Sequence, residues 1–145
     1  MTPLDRRVRT AVYRHIIETT RPPGLAALAA AAQVDEPAAA DALRRLADRH
    51  ALVLRPNTTD IWMAHPFSGV ETPFPVEARG LTYFANCAWD AAGILAMVGD
   101  GRCTTACADC DEPLSFFVRA GLFRGSGLVH FAVPARRFWE DIAFT

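Results

Sequence analysis

Three stretches of helical periodicity, each bounded by helix-stop or helix-start residues, constrain the fold of this chain most strongly. In the first stretch, four apolar residues recur at four-residue spacing: Leu4, Val8, Val12 and Ile16. Such spacing places apolar side chains on one face of a helix. The Pro-Pro-Gly run at residues 22–24 ends this helix, and Asp35 followed by Pro37 is typical of a helix start. We therefore predict helices over three ranges: 5–19, 25–32 and 37–50.

Two short apolar stretches follow the third predicted helix, in which we expect Leu43 and Leu46 to be buried. Residues 51–54 and 61–64 have the composition of strands, and the polar residues between them indicate a turn. Three helices followed by a hairpin predict a winged-helix-like module over residues 1–64. Three acidic residues lie near the start of its third helix: Asp35, Glu36 and Asp41. DNA-binding modules insert this end into a groove, so we expect a packing role instead.

A Pro-rich segment separates this module from the rest of the chain. Residues 65–80 contain Pro66, Pro73 and Pro75, and we predict an extended connector. Residues 81–145 would then form a second domain, the core.

The predicted core begins with a helix and continues with strands. Helical periodicity covers residues 82–98. Three later apolar stretches predict strands: 102–106, 114–118 and 128–133. A turn at 107–113 and a Gly-rich segment at 121–127 separate them. Residues 134–145 are predicted as a final turn with three large side chains to bury: Phe138, Trp139 and Ile142. The fold class is therefore α+β, with the three-helix winged-helix-like module followed by a small, mainly antiparallel sheet packed with the Cys87 helix.

Charge and hydropathy exclude several classes of partner. The chain has 15 basic and 16 acidic residues and a formal net charge of −1, so we expect neither nucleic acid nor an anionic membrane as a partner. The apolar stretch at 91–98 is far too short to cross a bilayer. No apolar run follows the N-terminal arginines, as it would in a secretory signal. We expect a cytoplasmic protein, whose four cysteines are thiols, metal ligands or catalytic groups rather than disulfides.

Cys87 and Asp90 lie three residues apart in the predicted helix 82–98, close to one face. A lone cysteine on an apolar helix face is most often a small buried hydrophobe. An aspartate on that face must be hydrogen-bonded, ion-paired or functional, because burying it alone is costly. The spacing leaves two interpretations open, a structural thiol beside a paired acid or a functional pair of thiol and acid.

The other three cysteines, Cys103, Cys107 and Cys110, have the spacing C-x3-C-x2-C. Radical S-adenosylmethionine enzymes carry this iron–sulfur spacing early in a large barrel, so we set that interpretation aside. A zinc site based on the C-x2-C pair needs four ligands, and Cys87 or His130 would have to join the three cysteines. Reduced thiols in a turn are the simpler alternative. His130 lies in an apolar run, which favours a core or edge histidine over a ligand.

Three segments carry a resemblance to a known family. They are Tyr83-Phe-Ala-Asn-Cys87-Ala-Trp-Asp90, Cys107-Ala-Asp-Cys110-Asp-Glu-Pro113-Leu, and Val129-His-Phe-Ala-Val-Pro-Ala-Arg-Arg-Phe-Trp-Glu-Asp-Ile-Ala-Phe-Thr145. Together with the helical N-terminal module, they resemble the alkylmercury lyase (organomercurial lyase) family. The resemblance covers most of the chain and is strongest from Leu81 onward.

The resemblance implies protonolysis of a carbon–mercury bond. Mercury prefers soft thiolate ligands, so coordination by Cys87 would weaken that bond. Asp90 would accept the thiol proton and deliver it to the leaving carbon. These two residues match the family's catalytic cysteine and aspartate, and Cys107 matches a structural cysteine. The implied partners are a small-molecule organometallic substrate or a soft metal ion, and low-molecular-weight thiols. No cofactor is required, and neither a membrane nor nucleic acid is expected.

The chain departs from the family pattern at its end. In related sequences the second catalytic cysteine lies just beyond the segment that matches residues 141–145, so we expect a short member without it. Cys103 or Cys110 would then supply the second sulfur that holds the metal. Otherwise the lyase reaction has been lost or replaced. The alternatives are a non-catalytic module that binds soft metals, an enzyme with another substrate on the same scaffold, and a winged-helix regulator that senses metal through the three clustered cysteines.

Overall fold

Three helices form the N-terminal part of the protein. The structure is a computed structural model that describes residues 1–143, in which α1 spans Pro3–Thr19, α2 Leu25–Ala32 and α3 Glu36–Asp48. At the start of α1 the side chains of Thr2 and Asp5 each accept a hydrogen bond from the other residue's backbone N–H, which is a capping box. All three predicted helices are confirmed to within two residues at each end.

A small antiparallel sheet follows these helices. Its strands are β1 (Val53–Leu54), β2 (Ile61–Ala64) and β3 (Phe67–Ser68), in that order. The predicted hairpin is confirmed, although its first strand begins later than predicted. The reason is that the N–H of Ala51 donates to the carbonyl of Leu46 at 2.9 Å, so the chain is still closing the end of α3 there.

A second antiparallel sheet of five strands has the order β5-β4-β6-β7-β8. The strands are β4 (Pro75–Ala78), β5 (Leu81–Phe84), β6 (Gly101–Ala106), β7 (Pro113–Arg119) and β8 (Leu122–Gly125). Helix α4 (Ala88–Val98) connects β5 to β6 and packs against β4, β6 and β7. The predicted α+β class, with helices first and a mainly antiparallel sheet packed with the Cys87 helix, is confirmed.

The prediction of a helix over residues 82–98 was wrong for residues 82–87. Tyr83 lies in β5, where it pairs with Val76 of β4 and is fully buried. The helix begins only at Ala88, so Cys87 precedes it as the N-cap residue instead of lying on its face. The burial of the tyrosine ring and the ladder hydrogen bonds to β4 override the helical periodicity of this stretch.

The predicted strand at 128–133 was also wrong. These residues form no strand, and the last strand within residues 1–143 is β8, inside the Gly-rich segment predicted as a separator. A tight turn makes this possible, because Ala120 and Gly121 both adopt positive φ angles, 51° and 73°, between β7 and β8. His130 is exposed, so it is neither a core nor an edge histidine.

The connector and the final segment are partly ordered into regular elements. Residues 65–80 contain β3 and β4, and the domain boundaries at 64 and 80 stay a prediction. The final segment contains a 3-10 helix, Ala135–Glu140. Its expected burial is only partial, because the Trp139 side chain remains 36% exposed. Residues 144 and 145 of this segment lie outside the described residues.

One buried apolar cluster joins the N-terminal helices to the second sheet. Its largest members are Tyr83, Phe67, Ile16, Leu28, Leu43, Leu46, Leu52, Ile94 and Leu95, which confirms the predicted burial of the two leucines of α3. The hydroxyl of Tyr83 also donates to the carbonyl of Ile17 in α1 at 2.7 Å. The helical part and the sheet therefore share a core. Within residues 1–143, no helix combines the length and apolar character needed to span a membrane.

Candidate functional site

Cys87 lies at the point where the chain leaves β5 and enters α4. Its backbone is extended, with φ −154° and ψ 179°, and its carbonyl accepts the first helical hydrogen bond from Ala91 at 2.9 Å. The side chain is half-buried. The first N–H groups of a helix have no partners within the helix and carry partial positive charge, an environment that favours a thiolate.

Several effects on the Cys87 thiol oppose one another. Burial has the largest effect and raises its pKa above the ordinary value of 9.0. The backbone N–H of Asp90 lowers the pKa, the negative charge of the Asp90 carboxylate raises it, and the N–H of Trp89 lowers it slightly. The net result is a raised pKa, so the free thiol holds its proton at neutral pH beside a group that can accept one.

Two residues contact the Asp90 carboxylate. The side-chain amide of Asn86 donates to Asp90 Oδ2 at 2.8 Å, and His65 Nδ1 lies 3.8 Å from the same oxygen. The Asp90 side chain is 19% exposed. Because one carboxylate oxygen is fixed by these contacts, the orientation of the acid at the first turn of α4 is well defined.

Asn86 connects the acid to the segment that carries the His65-Pro66 pair. Its amide nitrogen lies 3.3 Å from the carbonyl of Pro66 and 3.4 Å from His65 Nδ1. Two buried polar atoms of this group, Asn86 Oδ1 and His65 Nε2, have no hydrogen-bond partner among residues 1–143. Polar atoms of this kind beside an acid are suited to contact a polar ligand.

Elements distant in the sequence support His65. The hydroxyl of Tyr13 in α1 donates to the His65 carbonyl at 2.7 Å. The ring of Trp139 meets the His65 ring edge to face at 5.7 Å and stacks on His50 at 4.0 Å. The first helix of the winged-helix-like module and the C-terminal 3-10 helix therefore both help to place the histidine next to Asp90.

Sequence reasoning missed His65, Asn86 and Tyr13. The i, i+4 spacing of Asn86 and Asp90 could have revealed the amide. The histidine gave no such signal, because it lies in a segment predicted only as a connector.

The remaining cysteines lie elsewhere. Cys103 is in β6, opposite Val76, and is fully buried, which raises its pKa to about 11. Cys107 and Cys110 lie in the turn between β6 and β7, the first half-buried and the second exposed. Residues 1–143 contain no group of three or more Cys, His, Asp or Glu side chains that could hold a metal ion. The structure brings Cys87 and Asp90 together, but neither Cys103 nor Cys110 completes a three-donor metal site with them.

The fold and the site define a class of protein, an α+β scaffold in which a cysteine at a helix N-cap position precedes a hydrogen-bonded acid by three residues. No family model matches the sequence, and no curated protein matches it. The crystal structure of the mercury-bound form of MerB2 does match, with a TM-score of 0.67 and 22% sequence identity. The match covers 86% of this chain and 59% of the MerB2 chain, so this chain spans less than two thirds of the MerB2 length. The protein therefore has a MerB2-like fold.

Proposed function

We propose that this protein cleaves the carbon–mercury bond of small organomercurials by protonolysis, with Cys87 as the thiolate ligand and Asp90 as the proton carrier. The observation that carries the proposal is the placement of Cys87 at the N-cap of α4, with the oriented Asp90 carboxylate at the first turn. Two further findings support it. The sequence resembles the alkylmercury lyase family, and the MerB2 structure with the same fold was determined in a mercury-bound form.

The first step exchanges a proton for mercury at the Cys87 sulfur. The raised pKa means that Cys87 is a thiol before substrate binds. As the organomercurial R–Hg–X arrives, a sulfur–mercury bond forms, the anion X⁻ leaves, and the thiol proton passes to the Asp90 carboxylate. Asp90 is suited to accept it because it lies at the start of the same helix.

The second step returns that proton to carbon. Protonated Asp90 acts as the general acid, and the electron pair of the carbon–mercury bond forms the new carbon–hydrogen bond of R–H. Asp90 becomes a carboxylate again, and Hg²⁺ remains on the Cys87 sulfur. Asn86 donates to the carboxylate at 2.8 Å, so the acid keeps its orientation through both steps.

Release of the product requires sulfur from outside this pair. Two low-molecular-weight thiols can take Hg²⁺ as a neutral dithiolate, returning one proton to Cys87 and releasing the other to solvent. This stoichiometry predicts that turnover depends on added thiol.

The test is release of benzene from phenylmercuric acetate in the presence of excess glutathione, measured by gas chromatography. We expect multiple turnovers with the wild type and none with Cys87→Ser, which should fold because serine is a favourable N-cap residue. Asp90→Asn should lower the rate by about 10²- to 10⁴-fold. Asp48→Asn, a change of an exposed acid at the end of α3, is the matched control and should keep full activity.

Two outcomes would contradict the proposal. Undiminished benzene release by Cys87→Ser would exclude the thiol as the mercury ligand. Stoichiometric retention of mercury by the wild type, with no benzene released, would instead favour a non-catalytic module that binds soft metals.

A further inference from the structure

The turn between β6 and β7 is a compact structure that carries two thiols. The N–H of Cys107 donates to the Glu112 carbonyl at 2.8 Å, and the N–H of Asp111 donates to the Cys107 carbonyl at 3.0 Å. Asp111 adopts a positive φ of 59°, which closes the turn. Cys107 and Cys110 are therefore held three residues apart within one turn of backbone.

The two thiols belong to one turn and are accessible. The N–H groups of Asp109 and Cys110, and then the Cys110 side chain, lower the pKa of Cys107. Cys110 is exposed and Cys107 is half-buried, so solvent reaches the pair. Nothing in the reaction proposed for Cys87 and Asp90 uses these sulfurs.

The surroundings of the pair favour a cation. Three acidic residues belong to the same turn: Asp109, Asp111 and Glu112. Residues 107–112 include no basic residue. The negative potential of such a loop raises the local concentration of cations. It does not supply further ligands, since no group of three donors that could hold a metal is present among residues 1–143.

We propose that Cys107 and Cys110 form a two-sulfur binding site for thiophilic ions, separate from the Cys87–Asp90 pair. The donor set defines the ligand class. A closed zinc site needs four ligands, whereas a soft ion such as Hg²⁺, or a trivalent arsenical, is satisfied by two thiolates. In this proposal Cys107 and Cys110 bind the same ion. It replaces the expectations that Cys107 is purely structural and that Cys110 completes the Cys87 site.

Phenylarsine oxide is the probe that tests this pairing. It condenses with two thiols: the arsenic–oxygen bond breaks, two arsenic–sulfur bonds form, and the oxygen leaves with both thiol protons as water. No oxidant or reductant is consumed. Two thiols must lie close together for the reaction to occur, so the adduct reports on geometry and is independent of any lyase activity.

The experiment treats the full 145-residue chain, reduced with a phosphine, with one equivalent of phenylarsine oxide and measures the adduct by intact-mass spectrometry. We expect one adduct on the wild type and on Cys87→Ser. Cys107→Ser and Cys110→Ser should each lose it. Because Cys110 is exposed, Cys110→Ser should keep the fold, which circular dichroism checks.

The proposal is overturned if Cys110→Ser keeps the adduct, or if Cys87→Ser loses it. It is also overturned if peptide mapping places the arsenic on any pair other than Cys107 and Cys110. A wild type that forms no adduct contradicts it as well. A failure of benzene release would leave all of these readouts unchanged, so the two proposals fail separately.

Discussion

Backbone N–H groups lower the thiol pKa both at Cys87, at the N-terminus of α4, and at Cys107, in the turn between β6 and β7. The net pKa shifts of the two thiols nevertheless have opposite signs. At Cys87, burial is the largest effect and the pKa is raised. At Cys107, the N–H groups of Asp109 and Cys110 are the largest effects and the pKa is lowered. Backbone N–H groups therefore give a thiol a lowered pKa only where the opposing effect of desolvation is smaller than theirs.

The difference suits two kinds of chemistry. A thiol that keeps its proton beside an oriented acid can pass that proton on when a metal replaces it, as protonolysis requires. An accessible pair of thiols, in which Cys107 has a lowered pKa, can capture a soft ion directly, without an acid to move protons. Under the two proposals, the Cys87–Asp90 pair is the reacting site and the Cys107–Cys110 pair is the binding site.

The largest expected effect that separates these regions is the rate of alkylation at neutral pH. The thiolate reacts with iodoacetamide, and each unit of pKa changes its fraction about tenfold. We expect Cys107 to be alkylated about tenfold or more faster than Cys87, with the buried Cys103 slowest of the three. Quantitative peptide mass spectrometry after timed quenching measures these rates.

Unfolding the chain supplies the control for this experiment. In denaturant the environments are lost, and the rates for Cys107 and Cys87 should converge. Equal alkylation rates of Cys87 and Cys107 in the folded protein would contradict this prediction, because they would mean that burial does not set the pKa of Cys87.

The predictability of the two regions from sequence also differs. The helices of the N-terminal part could be predicted because Leu4, Val8, Val12 and Ile16 lie at helical spacing and Pro and Gly residues mark the ends. The boundary between β5 and α4 could not, because no Pro or Gly separates Tyr83 from Ala88. Cys87 and Asp90 are nevertheless neighbours, since they are the N-cap residue and the third residue of α4.

The rest of the candidate site depends on contacts that local patterns do not encode. His65 lies near Asp90, and Tyr13, in the first helix, and Trp139, near the end of the chain, both contact it there. The apolar run around Phe131 failed as a strand because its ring contacts Trp89 and Phe138 rather than joining a sheet. Tertiary contacts decided both outcomes.

A smaller expected effect concerns the orientation of the acid. Asn86→Ala removes the 2.8 Å hydrogen bond to Asp90, and the carboxylate is then free to change its rotamer. We expect kcat for benzene release to fall about threefold to tenfold, with KM unchanged, because only the positioning of the proton carrier is affected. Steady-state kinetics measures both constants.

The arsenical adduct at Cys107 and Cys110 should be unchanged in Asn86→Ala, which makes it an internal control for the fold. A rise in KM with unchanged kcat would contradict the positioning role. It would indicate instead that Asn86 contacts the substrate directly.

The smallest expected effect comes from removing one acidic charge next to each thiol. The Asp90 carboxylate raises the pKa of Cys87, and the Asp109 carboxylate raises that of Cys107. The Asn variants keep the backbone N–H groups and lose only the charge. Asp90→Asn should therefore move the pH of half-maximal Cys87 alkylation downward and leave Cys107 unchanged.

Asp109→Asn should do the converse, with a smaller downward shift for Cys107, because solvent and salt screen charges in the exposed turn. Alkylation rates of both peptides across a pH series, measured in each variant, give the four values needed. An upward shift of Cys87 in Asp90→Asn would mean that the carboxylate does not act on the sulfur through its charge. If each variant shifted both thiols, the two regions would not be independent, and the division between a reacting and a binding thiol would fail.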